Sequence, residues 1–315
     1  MRIVITGALG HIGSLLIREL PQAIPGVELL LIDNFHAERY CSLFDLPHGK
    51  FKFIEADVLT ADLLALIDGV DSVIHLAAIT NAAGSFEMAG KVEAVNYDGT
   101  IRIAEACKKL DVPLIFLSTT SVYGSQSETV DEDCPNSDLQ PQSPYAEAKF
   151  KSEELLRKMY AKDELKLVIL RFGTIFGVSP GMRFHTAVNK FIFQASTGQA
   201  VTVWRTALNQ KRPYLDVRDA VDGLIFVLKN KVYDGEVYNV LTCNCTVNDI
   251  LDTIRIHYPD LEINYVDTKI MNQLSYEVLN YKFRECGFEF SGNLQAGVDD
   301  TVRKLQGINS FHRVF

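Results

Sequence analysis

The chain predicts an α/β protein built on a doubly wound parallel sheet, and three observations carry that reading. Short apolar runs alternate with helical patterns through the first half of the sequence. Several of those runs are apolar without interruption, as strands covered by helices on both faces are. The first of them breaks at once into "TGALGHIG", which places Gly7, Gly10 and Gly13 three residues apart.

Taken in order, strands are predicted at Arg2–Thr6, Glu28–Ile32, Phe51–Glu55, Ser72–His75, Pro113–Ser118 and Leu167–Leu170. Helical patterns fall between them near His11–Leu20, Ala61–Ile67, Gly90–Lys109 and Tyr145–Ala161. After Arg171 the alternation loosens, with a helix near Ala187–Thr197, a strand Ala200–Val203, a helix Asp219–Lys229 and a strand Val237–Val240. "CTVNDILDTI" then offers Thr246 as a helix N-cap and Asp249 as its capping-box partner. The change of rhythm divides residues 1–172 from a smaller C-terminal lobe, 173–315, parts of which are expected to pack back on the first.

Composition narrows the function. The 315 residues are 47% hydrophobic and 23% charged, as in an ordinary soluble globular protein. A net charge of -9 disfavours nucleic acid or anionic membrane as partner. It also requires a local basic cluster wherever an anionic substrate binds. The six cysteines lack regular spacing, which fits reduced thiols in a cytosol. Cys243 and Cys245 form a C-x-C pair, but no second pair or histidine follows at metal spacing, so no metal is expected. The start "MRIVITG" has too short an apolar run for a signal-peptide core, and no stretch is long enough to span a membrane. A cytoplasmic location is expected.

The glycines sit between a strand and a helix, the context in which such a motif is informative. Glycine lets the backbone approach a ligand closely, and the following helix points free N–H groups at an anion. Asp33 lies twenty residues after Gly13, at the end of the second strand. A carboxylate there accepts hydrogen bonds from a ribose diol and repels a 2′-phosphate, which selects NAD over NADP. Arg39 is close enough in sequence to weaken that selection. The plainer alternative is a turn that only joins strand to helix. Against it, strand, loop, helix, second strand and terminal acid all fall in register, and the first domain is therefore a Rossmann-type one. Asp57, past the third strand, either meets the adenine edge or serves a helix N-terminus.

"STTSVYG" (Ser118 to Gly124) closes the fifth strand, and "YAEAK" opens a helix soon after, with Tyr145 and Lys149 on one face. A free phenol, with a pKa of about 10, is a poor base at neutral pH. An ammonium at ~4 Å in an effective dielectric of ~20 contributes ~4 kcal/mol, enough to lower the phenol by up to ~3 units. Tyr145 can then take a proton from a sugar hydroxyl as hydride leaves for a nicotinamide. A strand-end hydroxyl, Thr119 by preference, would hold the reacting oxygen; Ser118, Thr120 and Ser121 are the other hydroxyls there. Alone, Tyr-x-x-x-Lys is a weak signal, since surface helices carry such pairs by chance.

Together these segments resemble the extended short-chain dehydrogenase/reductase family, in its NAD-dependent epimerase/dehydratase branch. The likeness runs through "TGALGHIG", Asp33, "HLAA" (His75 to Ala78), "VNYDGT" (Val95 to Thr100), "STTSVYG", "YAEAK", "LRFGTIFG" (Leu170 to Gly177), "RPYLDVRDAV" (Arg212 to Val221) and "YNV" (Tyr238 to Val240). It implies a two-lobed enzyme acting on a nucleoside-diphosphate sugar, and a homodimer formed through the helices near 90–109 and 145–161. It extends the NAD surface to His11, Ile12, Asn34, Val58, Leu76, Ala77, Ala78 and Asn96. In the second lobe it implies that Asn189, Arg212 and, more roughly, Arg284 contact the diphosphate, two guanidiniums supplying the attraction that an acidic protein otherwise lacks. A surface salt bridge is the competing role for each arginine. Asp219 reads as a structural acid at a helix start.

Departures from the family pattern bear on the reaction. Thr119 is followed by Thr120 and Ser121 where dehydratases carry an acidic pair, so water elimination is disfavoured. Ser121 and Lys190 stand near the places of the cysteine and histidine of fucose-type epimerase/reductases, and Thr174 replaces a common asparagine. The expected reaction is therefore epimerisation, most simply at C4 through a transient 4-keto sugar. The alternatives are a nucleotide-sugar dehydrogenase or reductase with net hydride transfer, and a non-catalytic dinucleotide-responsive binding protein.

Overall fold

The computed structural model describes residues 1–82, 84–124, 128–162, 164–267 and 275–307. Seven strands form one sheet in the order Asp234–Val240, Leu167–Phe172, Leu114–Thr119, Ser72–His75, Arg2–Thr6, Glu28–Asp33, Lys50–Glu55. Every neighbouring pair in it is parallel. The order reverses direction between Arg2–Thr6 and Ser72–His75, which opens a crevice at their carboxyl ends. All six strands expected in the first domain are present, within two residues at each end.

The side-chain period of two splits the core into two layers. Ile3, Ile5, Leu29 and Leu31 face one side, where they meet Leu16, Ile17 and Leu20 of the helix His11–Ala23. Val4, Leu30 and Ile32 face the other and pack against Ile103 and Cys107 of Gly99–Leu110 and Leu156 and Met159 of Pro144–Tyr160. Segments past residue 172 do return. The helix Val217–Asn230 places Ala220, Val221 and Leu224 in the first layer, and Asp234–Val240 is the sheet's edge strand.

The second lobe has its own core. Thr174–Phe176, Arg212–Asp216 and Cys243–Cys245 form a three-stranded sheet. Phe191, Ile192, Val203, Tyr214, Ile250 and Val298 pack beside it. The capping box read from the sequence is present: Thr246 accepts from Asp249 N, and the Asp249 carboxylate accepts from Thr246 N.

One expected element is altered. The helix predicted over Gly90–Lys109 is interrupted by a π-helical stretch, Ala94–Asp98, between Ala89–Glu93 and Gly99–Leu110. The wider turn leaves Asn96 O free to accept from the hydroxyls of Thr100 and Ser152.

His75 ends its strand wholly buried, its ring bonded to Thr6 Oγ1 at 2.7 Å and Thr100 Oγ1 at 3.1 Å. Burial, with Lys149 nearby, lowers its pKa to about 3. The unfolded chain protonates this group near its ordinary value of about 6.5, so its contribution is complete above that pH and is lost as the pH falls towards 3. Relative to His75→Asn, the wild-type protein should lose about 1.4 kcal/mol of stability per pH unit across that window. Urea unfolding of both proteins at several pH values between 4 and 8 measures that difference; parallel curves would contradict it.

Candidate active site

The glycine loop runs from the end of Arg2–Thr6 into His11–Ala23, and its three glycines have different duties. Gly7 has φ +67°, and a Cβ on it would lie 2.6 Å from Ala77 N, so the loop and the Leu76–Ala77 segment pass backbone to backbone. A Cβ on Gly13 would lie 2.5 Å from Ala8 O, so this glycine lets the helix sit against the loop. Gly10 is the least crowded of the three, though still tight: its Cβ would meet Gly7 O at 3.2 Å and Arg39 Nη1 at 3.9 Å. It is the N-cap of the helix and supplies no side chain to the first turn. Those N–H groups are thus left for a ligand anion.

A cavity of about 520 Å³ opens along this loop. Of the residues expected to meet the dinucleotide, Gly7, Gly10, His11, Ile12, Gly13, Asp33, Asn34, Asp57, Val58, Leu76, Ala77, Ala78, Tyr145 and Lys149 line it, as does Thr119. The Asp33 carboxylate accepts from Leu9 N and Phe35 N, which aims it across the mouth of the loop. Asp57 accepts from Asn34 Nδ2 and Leu59 N, so it braces the adenosine end. The His11 ring reaches the segment that follows Thr174–Phe176. Its Nε2 bonds Gly177 O at 2.8 Å, and burial lowers its pKa to about 3.

Asn96 is not in the cavity wall. Its amide lies behind it, donating to Ile79 O and accepting from Ile79 N, and so fixes a segment that is in the wall. That is a correction to its expected role as a cofactor contact. Sequence spacing locates such an amide but does not say which way it turns.

At the far end Tyr145 stands in the first turn of Pro144–Tyr160, whose N-terminus Ser143 caps through Ala146 N. The phenol hydrogen-bonds Thr119, the hydroxyl that the sequence reading assigned to the reacting oxygen. Burial raises its pKa, and two groups lower it, Arg183 first and Thr119 second. The net shift is upward, against the lowering that the Tyr145–Lys149 spacing predicted, and the cation that opposes it is Arg183, not Lys149. Lys149 Nζ is drawn the other way: it donates to Leu117 O at 2.7 Å and lies 4.6 Å from the centre of the Phe116 ring. Burial lowers its pKa to about 7, with Glu153 opposing.

Glu153, one turn further along the helix, is buried between Ser118 Oγ and the Arg171 guanidinium, which it meets at 2.7 Å. Arg171 also donates to the Tyr123 hydroxyl, which donates to Asn239 Oδ1. The chain of bonds ties the Tyr145 helix to three strands of the sheet.

A second cavity of about 400 Å³ adjoins the first and shares Ala82, Ser121 and His185 with it. Its walls are largely apolar, with Trp204, Phe191, Val203 and Tyr214, and Lys190 and Arg212 add positive charge. Of the three residues expected on the diphosphate, Arg212 is in the wall of this cavity. Asn189 and Arg284 are not. Asn189 is fully buried, its Oδ1 accepting from Gly177 N and its Nδ2 donating to Arg183 O. Arg284 is outside both cavities, stacked 4.8 Å from the Phe290 ring with Nε donating to Asn280 Oδ1. Its short helix, Tyr281–Glu285, buries Phe283 in the core layer of the first domain, and Phe288 just beyond it joins the same layer.

Arg183 is the residue that sequence reasoning missed. One guanidinium nitrogen donates to Thr80 Oγ1, while Nε is shut off from solvent without an acceptor among the described residues. Nothing in the local sequence around Arg183 distinguishes it beforehand, because the side chains it meets, Thr80 and Tyr145, come from other elements of the fold.

Residues 3–240 match the model of the NAD dependent epimerase/dehydratase family. The chain belongs to that family. A UDP-glucose epimerase of Bacillus subtilis (strain 168), itself uncharacterised, is 32% identical over 249 residues, 76% of each chain. A trifunctional UDP-glucose 4,6-dehydratase, 3,5-epimerase and reductase of Arabidopsis thaliana is 29% identical over 95% of this chain, which spans 46% of that enzyme's length. Among solved structures, the UDP-glucuronic acid 4-epimerase of Bacillus cereus, with UDP-glucuronic acid and NAD, superposes with a TM-score of 0.88 at 26% identity. The alignment covers 97% of this chain and 99% of that one. As a member of this epimerase/dehydratase family the chain is an NAD-dependent enzyme. The glycine loop, uncapped helix and Asp33 fit the cofactor.

Two glycine variants separate fold from cofactor. Gly13→Ala puts a methyl against a main-chain carbonyl and should lower stability by about 2 kcal/mol or more. Gly10→Ala presses only on Gly7 O, which must give by a few tenths of an ångström, and its methyl stands on the cofactor's approach, so it should weaken NAD binding by about tenfold or more while losing less stability than Gly13→Ala. Thermal unfolding and NAD titration of both proteins check this; equal NAD affinities for Gly10→Ala and wild type would contradict it.

Proposed function

We propose that the protein is a nucleotide-sugar 4-epimerase in which Tyr145 is the acid–base group. One observation supports this above others. Among the described residues that line the two cavities, the only carboxylates are Asp33 and Asp57, both at the adenosine end. Water elimination requires an acid near the sugar, and none lines the wall there. Epimerisation at a carbinol requires a single proton site, because the proton returns to the oxygen that lost it.

NAD, when bound, supplies the hydride acceptor and donor for that chemistry and adds positive charge beside the phenol. The residues of the chain supply the rest. Thr119 holds the reacting oxygen beside the phenol, Tyr145 takes its proton and gives it back, and Arg183 favours the phenolate in between. Arg212 and Lys190 draw the diphosphate into the second cavity, where Trp204 and Phe191 offer flat apolar walls to a base. Ser121 and His185, common to both cavities, mark where the sugar bridges them.

A finer reading of the sugar follows from Arg183. A buried guanidinium with an open Nε beside the base favours a sugar bearing a carboxylate, as in the substrate bound to the Bacillus cereus relative.

The test is to supply NAD with UDP-glucose or UDP-glucuronic acid and follow formation of the C4 epimer by NMR. Tyr145→Phe should reduce turnover by about 10³-fold while NAD binding stays within about twofold. A fully active variant removes the proton assignment, and net accumulation of NADH replaces epimerisation with net oxidation. Arg183→Gln should cost the uronate about 10- to 100-fold more kcat/KM than the neutral sugar, the equivalent of ~1.5–3 kcal/mol for a charge-assisted bond. Equal losses on both sugars would remove the carboxylate reading.

A further inference from the structure

Cys243 and Cys245 took no part in the function above, yet the structure brings them together. Their sulfurs lie 3.1 Å apart and share a hydrogen bond. Both belong to the edge strand of the second lobe's small sheet, in register with Tyr214 and Arg212. Residues paired across an antiparallel ladder present their side chains to the same face. The two thiols therefore share a face with the arginine and the tyrosine that line the second cavity. No third histidine, cysteine, aspartate or glutamate joins them among the described residues, so they do not form a closed metal site.

We propose that Cys243 and Cys245 form an oxidisable dithiol whose disulfide loosens the nucleotide cavity, rendering substrate binding sensitive to peroxide. The chemistry balances. One thiolate of the pair attacks a peroxide O–O bond, which breaks to leave a sulfenic acid and water after proton uptake. The neighbouring sulfur then attacks the sulfenic sulfur and displaces its oxygen as a second water. Two thiols and one peroxide give one disulfide and two waters. The shared hydrogen bond lowers the pKa of Cys245 and raises that of Cys243, so the pair gives up its first proton more readily than its second. Cys243 is half-buried, within reach of a small oxidant.

The consequence follows from geometry. Residues two apart on an extended strand are held near the upper limit of the Cα separation that a disulfide accepts, so closure must pucker the strand at Asn244. Asn244 is engaged on the opposite face, where its amide donates to Val278 O and accepts from Val278 N, both at 3.0 Å. Its neighbour across the ladder is Pro213, which lies between the two cavity residues. A pucker there shifts Arg212 and Tyr214 together. The NAD cavity does not include either strand segment.

This inference rests on the second cavity being the nucleotide site, and the experiment keeps the two apart. The protein is treated with a slight excess of hydrogen peroxide, alkylated and digested, and the peptide spanning 243–245 is weighed. Binding of UDP and of NAD is titrated before and after. Trp204, the single tryptophan of the chain, lines the cavity and reports on it without nucleotide. The expected result is an unalkylated peptide lighter by two hydrogens, a changed Trp204 emission, UDP affinity reduced by about tenfold or more, and unchanged NAD affinity. Dithiothreitol should restore all of these, and Cys243→Ser should prevent them, which excludes the exposed Cys41 and Cys286 as the cause. Failure of this peptide to form a disulfide, or a disulfide that leaves Trp204 emission unchanged, overturns the proposal. A disulfide that changes Trp204 emission in a protein that never bound UDP overturns the nucleotide reading of the cavity and supports the dithiol.

Discussion

The close passage of three main-chain segments at the glycine loop is the constraint on which the site depends. Leu76–Ala77 crosses Gly7, Ala8 sits under Gly13, and Gly181 lies against Leu9 O and Gly10 O, all at separations that a side chain would forbid. The first crossing joins two adjacent strands of the sheet and the second joins strand to helix. The third brings in the other lobe. Because the contacts are between backbones, they fix positions to within a few tenths of an ångström, which side-chain packing alone rarely does. The cofactor cavity and the lobe that closes over it are therefore built from one junction.

Charge at the catalytic end is handled by similar economy. Lys149, Glu153 and Arg171 form a buried sequence of alternating sign, and Arg183 adds a further cation beyond Tyr145. Breaking a buried pair such as Glu153–Arg171 costs roughly 3–5 kcal/mol, so its place in the sheet is secure. The set carries a surplus of positive charge around a neutral phenol. Burial opposes ionisation of both Tyr145 and Lys149, which pushes the first up and the second down. The cations work against that burial at Tyr145, where Arg183 favours the ionised form.

These properties were unevenly legible in the sequence. The strand–glycine–helix start, Asp33, the Tyr145–Lys149 spacing and the Thr246 capping box are patterns within a few residues or at fixed offsets, so periodicity and turn chemistry reveal them. The break in the helix at Ala94–Asp98 was not legible, since what favours it is an amide that reaches Ile79 and hydroxyls from two different helices. Arg183, Asn189 and Arg284 failed for a common reason. Each lies in or after a loop whose direction is set by distant contacts, and a motif places such a residue in the chain without saying which way it faces. Family pattern put Asn189 and Arg284 on the substrate and passed over Arg183, whose buried guanidinium interacts with Tyr145.

Asn189 explains why Arg183 can be relied on. Between Gly177 and Thr186 the chain leaves the second lobe, runs over the glycine loop and returns. On the way Gly177 O receives the His11 ring, Ser179 donates to His11 O, and Gly181 N donates to Ser14 Oγ. The excursion ends at Arg183 and His185, which reach the catalytic end of the cavity. One buried amide spans it, accepting from Gly177 N and donating to Arg183 O. Asn189 thereby closes the strap into a loop of fixed length, with the cofactor's glycines at one side and the guanidinium at the other. A displacement of the glycine loop must move the strap, and the strap carries the cation that faces Tyr145. The Asn189 amide thus joins, through one strap, the backbone that packs on the glycine loop to the guanidinium at the Tyr145 end of the same cavity.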